Sequence, residues 1–218
     1  MIDGPSVAKK SFWTNYPGIF WISIAVSGLL ISLQLLRWPL TEILTVFLEP
    51  ILELIVWILF IVFSVVAIVY AIRRRKTGGT EVWFPFSICL ATMLVVIFVP
   101  FNSFYLKFNF KYYECKRTAA AQQILAGGHG QLVRSGGRGD LILLPDRERA
   151  LSVGGGEVMV DHREGKTYVL FFTFRGILDH FSGYVYSPSD TPPAQDQFLG
   201  RGLEVYRVAP NWYWYASS

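Results

Sequence analysis

Three histidines, His129, His162 and His180, are the residues here best suited to acid–base or metal chemistry. Two sit in the same dipeptide, Asp161-His162 and Asp179-His180, and Asp140 stands near His129. A catalytic imidazole needs an orienting partner within hydrogen-bond reach, so these pairs act only if the fold makes them converge. Their spacing gives no helical His-x-x-x-His or comparable ligand set. Both dipeptides fall at strand ends or turns, where such residues serve solvation and turn chemistry. They read as structural, and the expectation is a non-enzyme without metal or cofactor. A membrane-bound hydrolase built on the Asp/His pairs is the alternative.

Ser182-Gly183 lacks the flanking glycines of a nucleophile elbow, since His180 and Phe181 precede it. The clusters Gly127-Gly128-His129-Gly130, Gly136-Gly137-Arg138-Gly139 and Gly154-Gly155-Gly156 lack the Lys-Ser/Thr of a phosphate-binding loop and read as turns. The tripeptide Arg138-Gly139-Asp140 is taken as chance. Cys89 and Cys115 form no CxxC pair and no zinc spacing, and geometry disfavours a disulfide between them.

Two further groups carry possible function. Glu49 and Glu53 share a helix face, and ionisable groups beside a membrane span raise the question of an ion pathway in a small transporter or channel subunit. With Arg37 on the same side, a rim ion pair is the competing reading. The run Asn211-Trp212-Tyr213-Trp214-Tyr215 places Trp212 and Trp214 on one strand face and Tyr213 and Tyr215 on the other. One of those faces is a candidate partner-binding surface, because aromatic residues concentrate at binding hot spots. A strand buried on both sides is the alternative.

The elements that position these residues follow from hydropathy. Of the 218 residues 52% are hydrophobic and only 17% charged, below the roughly 25% usual for soluble domains. The deficit is confined to the first half. Segments of about 20 apolar residues span a bilayer, and three qualify at about 18–36, 54–72 and 82–99. The stretch from Thr41 to Glu53, interrupted by Pro50, reads as interfacial or as a kinked extension of the second span. Ser23, Ser27 and Gly28 suit close helix packing in the first. The chain therefore divides into a cytoplasmic tail 1–16, a three-helix membrane domain 17–104 and a mainly-β (α+β) domain 105–218.

Charge sets orientation. The net charge of +4 owes much to Arg73, Arg74, Arg75 and Lys76 in the loop between spans two and three. A basic cluster beside a span marks a cytoplasmic loop rather than nucleic-acid affinity, so no nucleic-acid partner is expected. With Lys9 and Lys10 also inside, three crossings place the C-terminal domain outside, in the periplasm of a bacterial inner membrane. Lys107, Lys111, Lys116 and Arg117 pull the other way, but long translocated domains obey the rule weakly.

In the second half, 116–126 reads as a short helix ended by Gly127-Gly128. Six strands follow, near 141–144, 157–162, 167–174, 181–186, 203–208 and 212–215, forming a small antiparallel sheet or partly closed barrel. The block Thr167 to Tyr186, with its aromatic strand, Arg-Gly-Ile-Leu and Phe-Ser-Gly-Tyr-Val-Tyr, is similar to one in uncharacterised small proteobacterial inner-membrane proteins. That resemblance covers about a tenth of the chain and implies a bacterial origin without an activity. Three spans with no evident pathway and a compact exported domain lead to a non-catalytic interaction protein. It would contact membrane lipid and a protein at the periplasmic face, as an immunity protein or envelope assembly factor.

Overall fold

The computed structural model describes residues 18–76, 79–136, 139–163, 165–176, 180–198 and 201–217, without the side chains of 39, 41–43, 45–47 and 136. The expected tail 1–16 with Lys9 and Lys10, Arg138 of the tripeptide and Asp179 of the second Asp-His pair lie outside these. The chain divides into two compact units between Tyr105 and Leu106.

Among the described residues of the first unit, three segments are long and apolar enough to cross a membrane: Gly18–Trp38, Leu48–Arg74 and Thr80–Phe98. The first two belong to one element, α1 (Gly18–Arg74). It is not a straight rod. Arg37 Nε lies 3.0 Å from Glu49 Oε1 and Gln34 Nε2 lies 3.2 Å from Glu53 Oε1. At 1.5 Å rise per residue a straight helix would hold those pairs about 18 and 28 Å apart, so the chain doubles back between Trp38 and Leu48. Leu30 and Leu33 of the first arm pack with Val56 and Phe60 of the second and Cys89 of α2 (Phe84–Phe98). A 3₁₀ turn, Thr80–Trp83, leads into α2, where Pro85 sits in the first turn that leaves its amides unpaired anyway.

The apolar helical segment that contains the second expected span runs Leu48–Arg74, so Glu49 and Glu53 lie in its first turns, in keeping with the extension read into Thr41 to Glu53. One packing expectation needs correction. Ser23 and Ser27 are buried as packing residues, but Gly28 is exposed and faces open space; Ala67 and Ala71 are also buried in this hairpin.

The helix α3 (Phe101–Leu125) starts close behind α2 and continues into the second unit. It is far longer than the expected helix at 116–126. The hydropathy there is ambiguous because the buried stripe Phe110, Arg117, Ala120, Ala121 and Ile124 includes a charge. Its C-terminus closes as expected: the Gly127 amide bonds to Ile124 O (3.0 Å), the Gly128 amide reaches Gln123 O (3.4 Å), and Gly127 takes φ +79°. That paired pattern is a Schellman cap, which needs the left-handed residue that glycine supplies without strain.

Seven strands follow: β1 (Gln131–Gly136), β2 (Gly139–Leu143), β3 (Glu157–Arg163), β4 (Lys166–Arg175), β5 (Phe181–Tyr186), β6 (Gly202–Ala209) and β7 (Trp212–Ser217). They form one antiparallel sheet in the order β1-β2-β3-β4-β5-β7-β6, open at β1 and β6 rather than closed as a barrel. Sequence had not separated β1 from its turns. Arg163 pairs with Lys166, so the expected β3–β4 hairpin closes over two residues, with Gly165 at φ +72°.

Alternation sorts the side chains into two cores. On one face Val158, Val160, Val169, Phe171, Tyr184, Trp212 and Trp214 pack with Phe110, Ala120, Ala121 and Ile124 of α3. On the other, Met159, Tyr168, Leu170, Phe172, Val185, Tyr213 and Tyr215 pack with Phe198. Phe198 belongs to the connection from β5 to β6, which runs past β7 as a strap across that second face. The fold is thus three transmembrane helices followed by a small α+β domain dominated by strands.

Candidate interaction surface

The C-terminal aromatics are not displayed. Trp212, Tyr213, Trp214 and Tyr215 are all buried, with Tyr215 fully excluded from solvent. The alternation holds, but each face has a cover: α3 lies over the tryptophans and the strap over the tyrosines. The reading of these four as an exposed partner-binding face therefore gives way to a central strand buried on both sides. The reason is the crossover: β7 inserts between β5 and β6 instead of ending the sheet.

The strap is held by polar contacts that local sequence does not announce. Asp161 Oδ2 accepts from Gln197 Nε2 at 2.5 Å and from the Phe198 amide at 3.4 Å. The Tyr215 hydroxyl lies 2.9 Å from Gln195 O and 2.7 Å from Gln197 O. The Tyr213 hydroxyl donates to Asp190 O at 2.9 Å, and Arg163 grips Asp196 with both terminal nitrogens, at 2.7 and 3.0 Å. Burial, then the Asp196 carboxylate, pushes the Tyr215 phenol up to about 12; burial, then the hydrogen bond to Asp190, raises Tyr213.

Asp161 is therefore a structural anchor, and among the described residues the three histidines do not converge. The His162 ring bonds to Thr167 Oγ1 at 2.9 Å, at the start of β4. His180 precedes Phe181, which pairs with Arg175 at the far end of β4. Eight strand residues separate those two ends by about 26 Å, too far for joint chemistry. His129 Nε2 pairs with Glu148 at 2.6 Å, while Asp140 accepts from Ser135. Among the described residues no three His, Cys, Asp or Glu side chains are grouped to hold a metal ion.

Ser182-Gly183 has a packing role. A Cβ at Gly183 would collide with Phe171 O and lie 2.8 Å from Leu170 Cδ1, so the glycine is required by close approach of β4.

In the membrane unit, Arg37 bridges both glutamates, with Nε 3.0 Å from Glu49 and Nη2 3.4 Å from Glu53. Trp38 Nε1 donates to Asn102 Oδ1, and its ring stacks on Tyr105 at 5.8 Å. The polar groups at the α1 reversal thus close on one another and tie the reversal to the start of α3. Arg73, Arg74, Arg75 and Lys76 are exposed at the other end of the second span, where the first two fall in the last turn of α1 and complement the helix dipole.

With both sheet faces covered, the large hydrophobic side chains exposed among the described residues of the second unit fall into three pairs: Phe108 and Tyr112 on α3, Leu132 and Val133 on β1, Leu203 and Tyr206 on β6. The last two pairs lie on the two edge strands, whose outer backbone groups have no strand partner among the described residues. Each edge also carries an irregularity in register, at Leu132/Arg134 in β1 and at both ends of β6. Sequence reasoning missed these edges because it placed the last strand, not β6, at the display position. No protein-family model, curated protein or solved structure matches this chain.

Proposed function

We propose that this chain is a non-catalytic, membrane-anchored interaction protein whose sheet edge at β6 binds a protein outside the cytoplasm. The observation that carries this reading is the coverage of the sheet. The chain's own α3 and strap close both faces, while β6 has no strand on its outer edge among the described residues, with Leu203 64% and Tyr206 51% exposed. An extended segment adding to such an edge gains main-chain hydrogen bonds, with alternate side chains giving specificity.

The orientation rests on the exposed cluster Arg73 to Lys76, which favours a cytoplasmic loop between spans two and three and so an exported second unit. In a bacterial inner membrane, as the Thr167 to Tyr186 block suggests, the partner would be an envelope component or an incoming secreted effector. The test is a photo-crosslinking residue at Leu203 or Tyr206 of the full chain in its native membrane, with Arg147 as the control position. A discrete protein adduct from the β6 positions alone is expected. Equal adducts at all three positions, or none at β6, would overturn the proposal.

A further inference from the structure

The third exposed apolar pair has a different setting. Phe104, Phe108, Lys111 and Cys115 recur at helical spacing along α3, with Lys107 and Tyr112 flanking them, and all are exposed. Phe108 is 70% and Tyr112 64% exposed, and their rings stack at 6.2 Å. The opposite side of the helix is fully used, with Phe110, Arg117, Ala120, Ala121 and Ile124 buried against the sheet. Nothing within that core accounts for two large rings facing outward.

Three observations identify the occupant. The stripe continues directly from a membrane span: α2 ends at Phe98 and α3 begins at Phe101. The two linking residues, Val99 and Pro100, and the first two turns of α3 cannot carry Phe108 further than about 20 Å from Phe98. The charges beside the rings are mostly cationic, Lys107, Lys111 and Lys116 against Glu114, which pairs with Lys111 at 2.9 Å. Aromatic rings interleaved with lysines are the composition that settles at a lipid headgroup boundary.

We infer that the Phe108/Tyr112 face of α3 is a lipid-contact surface, which lies on the headgroups of the bilayer that holds the three spans and selects anionic phospholipid through Lys107, Lys111 and Lys116. The rings enter the headgroup layer while the lysines meet phosphate oxygens at its surface. The stripe thereby restrains the second unit at the membrane, independently of what β6 binds.

Exposed Cys115 on the same stripe allows a test without disturbing the fold, because Cys89 is buried. The full chain is spin-labelled at Cys115, and a second sample at Phe108→Cys with Cys115→Ser. Both are reconstituted in phosphatidylcholine vesicles with or without phosphatidylglycerol. Collision with oxygen, which concentrates in lipid, is compared with collision with a water-soluble nickel complex. The expected result is preferential oxygen access at both positions, increased by phosphatidylglycerol and lost in Lys107→Glu with Lys111→Glu at low salt. An Arg147→Cys label stays nickel-accessible. Nickel access at 108 and 115 equal to that at 147 would overturn the inference. So would shielding from both reagents, which would mean that protein covers the stripe.

Discussion

The Arg117 guanidinium lies 4.9 Å above the centre of the Tyr184 ring, with Tyr113 on another side at 5.3 Å, and the whole side chain is buried. Its Nε donates to Leu151 O at 3.0 Å and its Nη2 to Asn109 Oδ1 at 2.7 Å. One side chain therefore joins α3, the 3₁₀ turn Asp146–Leu151 and β5. A planar cation suits the position because it stacks on aromatic faces while its fork donates sideways. Arg117→Lys keeps the charge but not the fork, and should destabilise the second unit by about 2–4 kcal/mol. Unfolding of the full chain in detergent, followed by tryptophan fluorescence, measures this; an unchanged midpoint would remove Arg117 from its central role.

Gly183→Ala should be more damaging than its size suggests. The added methyl meets the β4 backbone at Phe171, 2.9 Å from the carbonyl carbon as well as against its oxygen, so no rotamer relieves it. A loss of about 3 kcal/mol is expected, in the range of overpacked cores. Gly155→Ala, in open space but at φ +90°, tests backbone strain alone and should cost less.

Alkaline pH should loosen the strap before it disturbs α3. Below pH of about 10, the ordinary tyrosine value, folded and unfolded chains both keep the Tyr215 proton, and the stabilisation by its hydroxyl is complete. Between 10 and the folded value of about 12 only the unfolded chain loses the proton, so stability falls as pH rises. Tyr213, also raised, acts in the same direction. Tyr215→Phe should cost about 1 kcal/mol at neutral pH and flatten the alkaline limb of a stability–pH profile. A limb of unchanged slope would assign the alkaline loss to other groups.

The α1 reversal should depend on Arg37 more than on either glutamate. Arg37→Ala leaves Glu49 buried and Glu53 beside it without their shared cation, at a cost of about 3 kcal/mol. Adding Glu49→Gln to that variant should recover part of the loss, since the two residues are coupled. Strictly additive effects in detergent unfolding would show that the pair is not a unit.

The membrane half was legible because three apolar runs need only length and composition to be recognised. The doubling back of α1 was not, because the pairing of Glu49 and Glu53 with Arg37 and Gln34 across the reversal joins residues distant in sequence. In the second unit, the hairpin at Arg163 to Lys166 and the face alternation of Trp212 to Tyr215 are local properties and were readable. What covers those faces is not local. The crossover that buries β7, the grip of Asp161 on Gln197 and the length of α3 all depend on contacts between distant segments. Arg117 was readable in principle, as it falls on the Phe110, Tyr113, Ala120, Ile124 stripe once the helix is extended back to Phe101.

The central claim, an anchored domain presented outside the cytoplasm, is tested most directly by topology. Alkaline phosphatase and a fluorescent protein are fused in turn after Ser218 and after Lys76. Phosphatase activity at Ser218 with fluorescence at Lys76 is predicted. The reverse pattern would place the second unit in the cytoplasm and contradict the account.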